Sequence, residues 1–82
     1  MREGEATRLD LLDSLRTLEH ADIYDLMAHT GRGLRQVQRH LLLLGQTGRI
    51  VCVGRSKTRG GQPPKRWAIT VLGREQLEQE AA

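Results

Sequence analysis

The 82-residue sequence is 38% hydrophobic and only 2% aromatic, so it can form one small core, built from Leu, Ile, Val and Ala around Trp67, with Tyr24 as a candidate neighbour. Cys52 has no second cysteine to pair with, and no stretch resembles a signal peptide or a membrane span, which excludes disulfide-rich and membrane classes. We expect a cytoplasmic protein with one domain over residues 1–82.

The charges are strongly segregated along the chain, although the net charge is only +3. Residues 26–74 contain no Asp or Glu and carry ten Lys or Arg side chains, whereas the first 25 residues sum to −4 and the last eight to −3. Carboxylates on a phosphate-binding face would repel the phosphates, so an acid-free basic segment is typical of nucleic-acid binding. A basic surface that only faces solvent is the alternative.

The first predicted helix runs from about Arg8 to Leu18. Thr7 and Asp10 have the spacing of a capping box, and leucines follow at helical intervals. Residues 1–6 are then expected to be frayed.

A second, short helix is predicted around the segment IYDLMAH. Asp22 and Asp25 form another capping-box pair at its start, and Ile23, Leu26 and Met27 form its apolar stripe. It ends in the segment TGRG, because two glycines within three residues break a helix and permit positive φ angles.

The third predicted helix runs from about Leu34 to Gln46 and includes four consecutive leucines. At about 100° per residue, an arc narrower than about 90° faces the core. This arc contains Leu34, Val37, Leu41 and Leu44. The other side carries Arg35, Gln36, Arg39, Leu42, Leu43 and Gln46. Its first half is suited to contacts with bases, and its second half to contacts with protein.

After Gly48 the sequence changes to an alternating, β-branched pattern. The segments RIVCVGR and KRWAIT predict two strands, and the loop SKTRGGQPP between them predicts a β-hairpin with a basic tip. Cys52 on the first strand is expected to be a small core or half-buried residue. Thr70 can cap a short final helix, of which residues 80–82 are expected to be frayed.

The order of these elements resembles the winged helix-turn-helix domain of small prokaryotic transcriptional regulators, over about Thr7 to Leu77. The positions that match the family around its recognition helix are Thr30, Gly31, Val37, His40, Leu41 and Gly48. Those that match its second wing strand and the residues beyond are Gly61, Pro63, Trp67, Ile69, Thr70 and Gly73. The resemblance implies an α+β fold with a three-helix core, a two-stranded β-hairpin wing and a short C-terminal helix.

Two positions depart from the family pattern. Arg32 stands where a small apolar residue is usual, so the turn before the recognition helix is expected to differ in geometry. Gly33 falls at the N-cap, where Ser or Thr is usual, and leaves the first amide donors of the helix to water or phosphate.

The resemblance implies binding to double-stranded DNA through the recognition helix and the wing. Arg pairs with guanine and Gln with adenine in the major groove, so Arg35, Gln36 and Arg39 are candidates for base contacts. The candidates beside them are Arg32, Gln38 and His40. The wing candidates for phosphates or a minor groove are Arg55, Lys57, Arg59, Lys65 and Arg66. For the base-contact candidates, a phosphate contact or a solvated side chain is the alternative, and for the wing candidates a solvated basic surface is the alternative.

No pattern indicates catalysis, a metal site or a cofactor. The cysteine and the three histidines lack metal-ligand spacing, and neither Ser14 nor Ser56 has a base nearby in the sequence pattern. We therefore expect a sequence-specific DNA-binding regulator rather than an enzyme, and a repressor that acts by occupying its operator. A winged-helix protein-interaction module, or an accessory protein of DNA replication or partition, is the alternative.

Leu42 and Leu43 are two large apolar side chains that a monomer would be expected to cover. A homodimer formed through the terminal helices or through these leucines is one interpretation. A monomer in which the leucines pack beneath the wing, or on the first helix, is the other.

Overall fold

The computed structural model describes residues 3–57 and 61–81. The elements follow the order α1 (Glu3–Leu18), β1 (His20–Ala21), α2 (Ile23–Thr30), α3 (Leu34–Gln46), β2 (Ile50–Arg55), β3 (Lys65–Ile69) and α4 (Val71–Ala81). This order confirms the predicted α+β winged helix-turn-helix fold. The bounds of α3 match the prediction, whereas β1 was not predicted.

Helix α1 begins earlier than the sequence pattern indicates. It starts at Glu3 rather than Arg8, so residues 3–6, which were expected to be frayed, are helical. Thr7 is therefore an interior residue of the helix and is fully buried, not an N-cap. The same holds at the other end of the chain, where α4 continues through residues 80 and 81.

The predicted capping box of α2 is present. The Asp22 carboxylate accepts a hydrogen bond from the Asp25 amide at 2.9 Å, and the Asp25 carboxylate accepts one from the Asp22 amide at 3.1 Å. At the other end Gly31 adopts a left-handed conformation with φ 72°, and its amide donates to the Met27 carbonyl at 2.8 Å. Glycine takes this conformation at low cost, which explains why the helix stops there.

The three strands form one antiparallel sheet in the order β1-β3-β2. Strand β2 is an edge strand, and its pairing with β3 is irregular between Cys52 and Gly54. Beyond Ile50 every residue of β2 is exposed, including Cys52. The expectation of a half-buried Cys52 was therefore wrong, because the alternating pattern does not show whether another element covers an edge strand.

The core is made of aliphatic side chains from α1, α2 and α3, closed by the sheet and α4. Its buried hydrophobic residues are Leu11, Leu12, Leu15, Ala21, Leu26, Val37, Leu41, Leu44, Ile50, Ile69 and Leu77. Trp67 is only partly buried and packs against the edge of this cluster instead of forming its centre. Tyr24 is 61% exposed, so it does not contribute to the core.

The base of the wing is fastened to α4. The Thr70 hydroxyl donates to the Gly48 carbonyl at 2.7 Å and accepts from the Gly73 amide at 3.2 Å, which confirms Thr70 as the cap of α4. Gly73 is buried, and a Cβ atom at this position would collide with the carbonyl oxygen of Arg49. Glycine at 73 thus permits the close packing that holds the start of β2 against α4.

Candidate nucleic-acid interface

Helix α3 presents one exposed side, which we call its outer face. The outer face consists of Leu34, Arg35, Gln38, Arg39, Leu42, Leu43 and Gln46. The buried side consists of Val37, His40, Leu41 and Leu44. The structure thus confirms the predicted inward direction of Val37, Leu41 and Leu44, and corrects the directions of Leu34 and His40.

Leu34 was predicted to face the core but is 46% exposed. It is the first residue of α3, and the Gly31–Gly33 turn leads into the helix before it. Periodicity alone assigns a side to each residue without showing that the core leaves the first residue of the helix half exposed. Leu34 therefore adds an apolar side chain to the exposed N-terminal end of α3.

His40 was predicted to flank the exposed side but is only 7% exposed. A Cβ atom at Gly4 would lie 3.7 Å from Cε1 of His40, which places the imidazole against the first turns of α1. Burial lowers the pKa of His40, and the positive charges of Arg8, Arg39 and Arg32 lower it further. Its Nδ1 atom has no hydrogen-bond partner in the described part of the chain. The imidazole is therefore part of the α1–α3 packing.

Two further predicted site residues attach α3 and its preceding turn to α1. The Arg32 guanidinium donates to one carboxylate oxygen of Asp10, at 2.6 Å from Nη2 and 3.2 Å from Nε. The Gln36 side-chain amide donates to the Thr7 hydroxyl at 2.9 Å. These bonds connect α3 and the turn before it to α1 and engage polar groups of Arg32 and Gln36.

Arg35, Gln38 and Arg39 are brought together on the outer face and are all exposed. Within residues 3–57 and 61–81, no hydrogen bond or ion pair engages their side chains. Gly33 caps α3 in an extended conformation without a side-chain hydrogen bond, as predicted. The N-terminal end of α3 therefore combines available Arg and Gln side chains with amide donors suited to a phosphate.

The predicted wing residues divide between exposed and engaged side chains. Arg55 and Lys57 are exposed, although one Arg55 nitrogen also donates to the Pro63 carbonyl at 2.8 Å. The exposed Lys65 places its ammonium 5.9 Å from the ring centre of Trp67, within the range of a cation–π contact. Arg59 lies outside the described residues.

Arg66 does not extend from the wing but binds groups from β1, α2 and the end of β2. Its guanidinium donates to Nδ1 of His20 at 3.0 Å, to the His20 carbonyl at 3.2 Å and to the Ser56 hydroxyl at 2.7 Å. The carboxylates of Asp25 and Asp22 lie 3.5 and 3.8 Å away. Arg66 therefore ties the wing to the N-terminus of α2.

The pKa of Asp22 reflects this arrangement. Burial by itself raises the pKa, but hydrogen bonds from the Asp25 amide, the Ser56 hydroxyl and the Tyr24 amide, together with the charge of Arg66, lower it below its ordinary value. Asp22 thus remains ionised as the cap of α2 and as a partner of Arg66.

A groove of about 780 Å³ separates α3 from β3. Its lining includes the apolar side chains of Leu42, Pro64 and Trp67 and the cations of Arg35 and Lys65. Leu43 instead lines a different cleft, beside Arg8 and Gln76. The two outward leucines thus remain exposed on the outer face but line different pockets.

In the ranges 3–57 and 61–81, no three His, Cys, Asp or Glu side chains are placed to hold a metal ion. Ser14 has a base beside it after all, because its hydroxyl lies 2.7 Å from Nδ1 of His29, but Ser14 is buried. Within the same ranges, none of the helices is long and apolar enough to cross a membrane.

Comparison with known proteins places this geometry in the winged-helix fold. A MarR family transcriptional regulator from Silicibacter pomeroyi matches with a TM-score of 0.69 and 20% sequence identity, over 90% of this chain and 48% of that protein. BpsR of Bordetella bronchiseptica, whose DNA binding is regulated by 6-hydroxynicotinic acid, matches with a TM-score of 0.77 and 16% identity. That match covers 99% of this chain and 61% of BpsR.

At these identities the likeness shows a shared fold. The chain spans 48% of the length of the Silicibacter pomeroyi protein and 61% of the length of BpsR. No protein-family model matches the sequence, and no curated protein sequence matches it.

Proposed function

We propose that this chain is a sequence-specific double-stranded DNA-binding regulator of transcription, which acts as a repressor by occupying its operator. The observation that carries the proposal is the outer face of α3, where Arg35, Gln38 and Arg39 are exposed and engaged by no described residue. Arginine and glutamine form bidentate hydrogen bonds with guanine and adenine, each worth about 1 to 3 kcal/mol of discrimination. No Asp or Glu between residues 26 and 74 opposes the approach of phosphates.

In the proposed complex, α3 lies in the major groove with its N-terminal end close to the DNA. The exposed wing cations Arg55, Lys57 and Lys65, with Arg59, then reach neighbouring phosphates or a minor groove. Arg32, Gln36, His40 and Arg66 have a different task, because their bonds and burial hold α3 and the wing in place. In this proposal these four residues, which the sequence suggested as DNA contacts, support the structure instead.

The two structural neighbours support the proposal, since one is described as a transcriptional regulator and the other as a DNA-binding protein. We further propose that the protein acts in the cytoplasm as a homodimer formed through its terminal helices. Leu43 lies beside Arg8 of α1 and Gln76 of α4, and Val71 and Leu72 at the start of α4 are exposed. A two-fold dimer would bind a palindromic operator with half-sites about one helical turn apart.

The experiment that tests the proposal is selection of bound duplexes from a random library by the purified chain, followed by affinity measurements at several salt concentrations. We expect one enriched motif and an affinity that falls steeply with salt. Failure to enrich any motif would contradict sequence-specific binding. It would favour a protein-interaction module, to which the exposed apolar side chains of Leu42, Val51 and Val53 are suited.

The wing contribution is tested separately with the triple variant Lys57→Ala, Arg59→Ala and Lys65→Ala. If each cation neutralises one phosphate, the slope of log affinity against log salt should become shallower by about 2.7, at about 0.9 per contact. Arg16→Ala on α1 is the control and should leave the slope unchanged, because Arg16 lies in the acidic N-terminal segment and pairs with Asp13. An unchanged slope in the triple variant would show that the wing does not contact DNA.

A further inference from the structure

The outer face of α3 contains an apolar side chain at the end that the proposed complex brings closest to DNA. Leu34 is the first residue of α3 and is 46% exposed. The residue before it is Gly33. A Cβ atom added to Gly33 would have no neighbouring atom within 4 Å. The exposed part of Leu34 is therefore accessible to a ligand that approaches the N-terminal end of the helix.

Leu34 lies among the side chains proposed to contact bases. Arg35 is its neighbour in sequence, and Gln38 follows one turn later, about 40° further around the helix axis at about 100° per residue. Both are exposed, as Leu34 is. Leu34 lies at the margin of the outer face beside Gln38, so a duplex that brings a base edge to Gln38 would pass close to the exposed part of Leu34.

The chemistry of the major groove identifies which group suits Leu34. The C5-methyl group of thymine is the one apolar group that the four base pairs present there, whereas the other edges are hydrogen-bond donors and acceptors. A leucine that covers a polar edge removes its water without replacing the hydrogen bonds, which is unfavourable. Contact with a methyl group instead removes apolar surface from water on both sides.

We propose that Leu34 is a specificity-determining residue that contacts the C5-methyl group of a thymine in the preferred site. This inference rests on the proposed DNA-binding function. The thymine belongs to a base pair at or next to those contacted by Arg35 and Gln38, because the three side chains share the first turns of α3. The preferred site therefore contains an A·T pair at this point.

The test uses the duplex enriched from the random library, in which each thymine is replaced in turn by deoxyuridine. This replacement removes the methyl group and leaves the Watson–Crick edge unchanged. With the parent protein, one replacement should weaken binding by about fourfold, the effect expected for one buried methyl-sized group. With Leu34→Ala the same replacement should have no effect, because the side chain that covers the methyl group has been removed.

Leu42→Ala is the matched control, because Leu42 is also an exposed leucine of the outer face but lies about two turns further from the N-terminal end of α3. This variant should retain the deoxyuridine penalty. Thermal unfolding of Leu34→Ala should stay close to that of the parent, since the side chain is half exposed.

The outcomes separate the two proposals. If no duplex is enriched at all, sequence-specific DNA binding itself fails, and the role of Leu34 fails with it. If a duplex is enriched but no deoxyuridine replacement weakens binding, or if the penalty is the same in Leu34→Ala, the DNA-binding function stands and the methyl contact is overturned.

Discussion

The basic residues of α3 and those around the base of the wing come from the same acid-free part of the sequence but have different surroundings. Arg35 and Arg39 are exposed and no described residue engages them, whereas Arg66 lies close to Asp22 and Asp25. These carboxylates belong to the acidic first 25 residues, which fold back onto the basic segment. Charges that are segregated along the sequence are thus not necessarily segregated in space. Only the segregation along the sequence can be counted without a structure.

The largest expected effects concern the available arginines. Arg35→Ala and Arg39→Ala should each weaken binding to the enriched duplex by about 1 to 3 kcal/mol, with a smaller loss on random DNA, because base contacts specify and phosphate contacts position. The measurement is the ratio of specific to non-specific affinity for each variant. Equal losses on both kinds of DNA would mean that these arginines contact only phosphates.

The opposite behaviour is expected of Arg66. Arg66→Met should lower the free energy of unfolding by about 2 kcal/mol, since several hydrogen bonds to a charged group are lost and their partners remain. Below the melting temperature, its ratio of specific to non-specific affinity should match that of the parent. Lys57→Met, at an exposed position, is the control for unfolding. Unchanged unfolding together with weaker DNA binding would remove the distinction between the two kinds of arginine.

The pH dependence of folding stability tests the burial of His40 between α1 and α3. The pKa of His40 is lowered from 6.5 by burial and by the charges of Arg8, Arg39 and Arg32. As the pH falls below about 6.5, the unfolded chain takes up a proton that the folded chain still excludes, so stability should decrease. Denaturant unfolding between pH 8 and pH 5 measures this effect.

The matched variant for this measurement is His40→Gln. Its stability should fall less than that of the parent over the same interval, because the proton uptake of residue 40 in the unfolded state is absent. Parallel pH profiles of the two proteins would show that protonation of His40 is not linked to folding.

The smallest expected effect concerns the ion pair between Arg32 and Asp10. A double-mutant cycle with Arg32→Gln and Asp10→Asn should give a coupling energy below about 1 kcal/mol, as is usual for exposed pairs. The Asp10 side chain is 53% exposed, which agrees with a weak coupling. If Arg32→Gln reduced DNA specificity as much as Arg35→Ala, the ion pair would have to open on binding, and Arg32 would join the available arginines.

Local sequence signals were sufficient for much of the fold. The periodicity and the flanking glycines predicted α3 from Leu34 to Gln46, and the Asp22–Asp25 spacing predicted the cap of α2. The same reasoning failed for Thr7, which has the spacing of a cap but lies inside α1. Strand β1 has only two residues, too few for an alternating pattern, and it exists because it pairs with β3 more than 40 positions later.

The candidate site was predicted less completely, because the direction of a polar side chain depends on distant partners. Gln36 bonds to Thr7, 29 positions away, and Arg66 bonds to His20, 46 positions away. The sequence pattern placed Gln36 on the exposed side of α3 and Arg66 in the wing. His40 is the corresponding case of a buried residue. The helix α1 covers its side chain, and nothing in the sequence of α3 indicates this burial.

The open edge of the sheet bears on how the protein behaves at high concentration. Strand β2 carries the exposed valines Val51 and Val53, and such an edge is a template for pairing with other chains. The irregular pairing between Cys52 and Gly54 interrupts the edge, and the exposed Arg55 places a cation at the end of the strand. Bends and repelling cations of this kind keep native edge strands from forming aggregates. These features therefore oppose edge-to-edge pairing between copies of the chain.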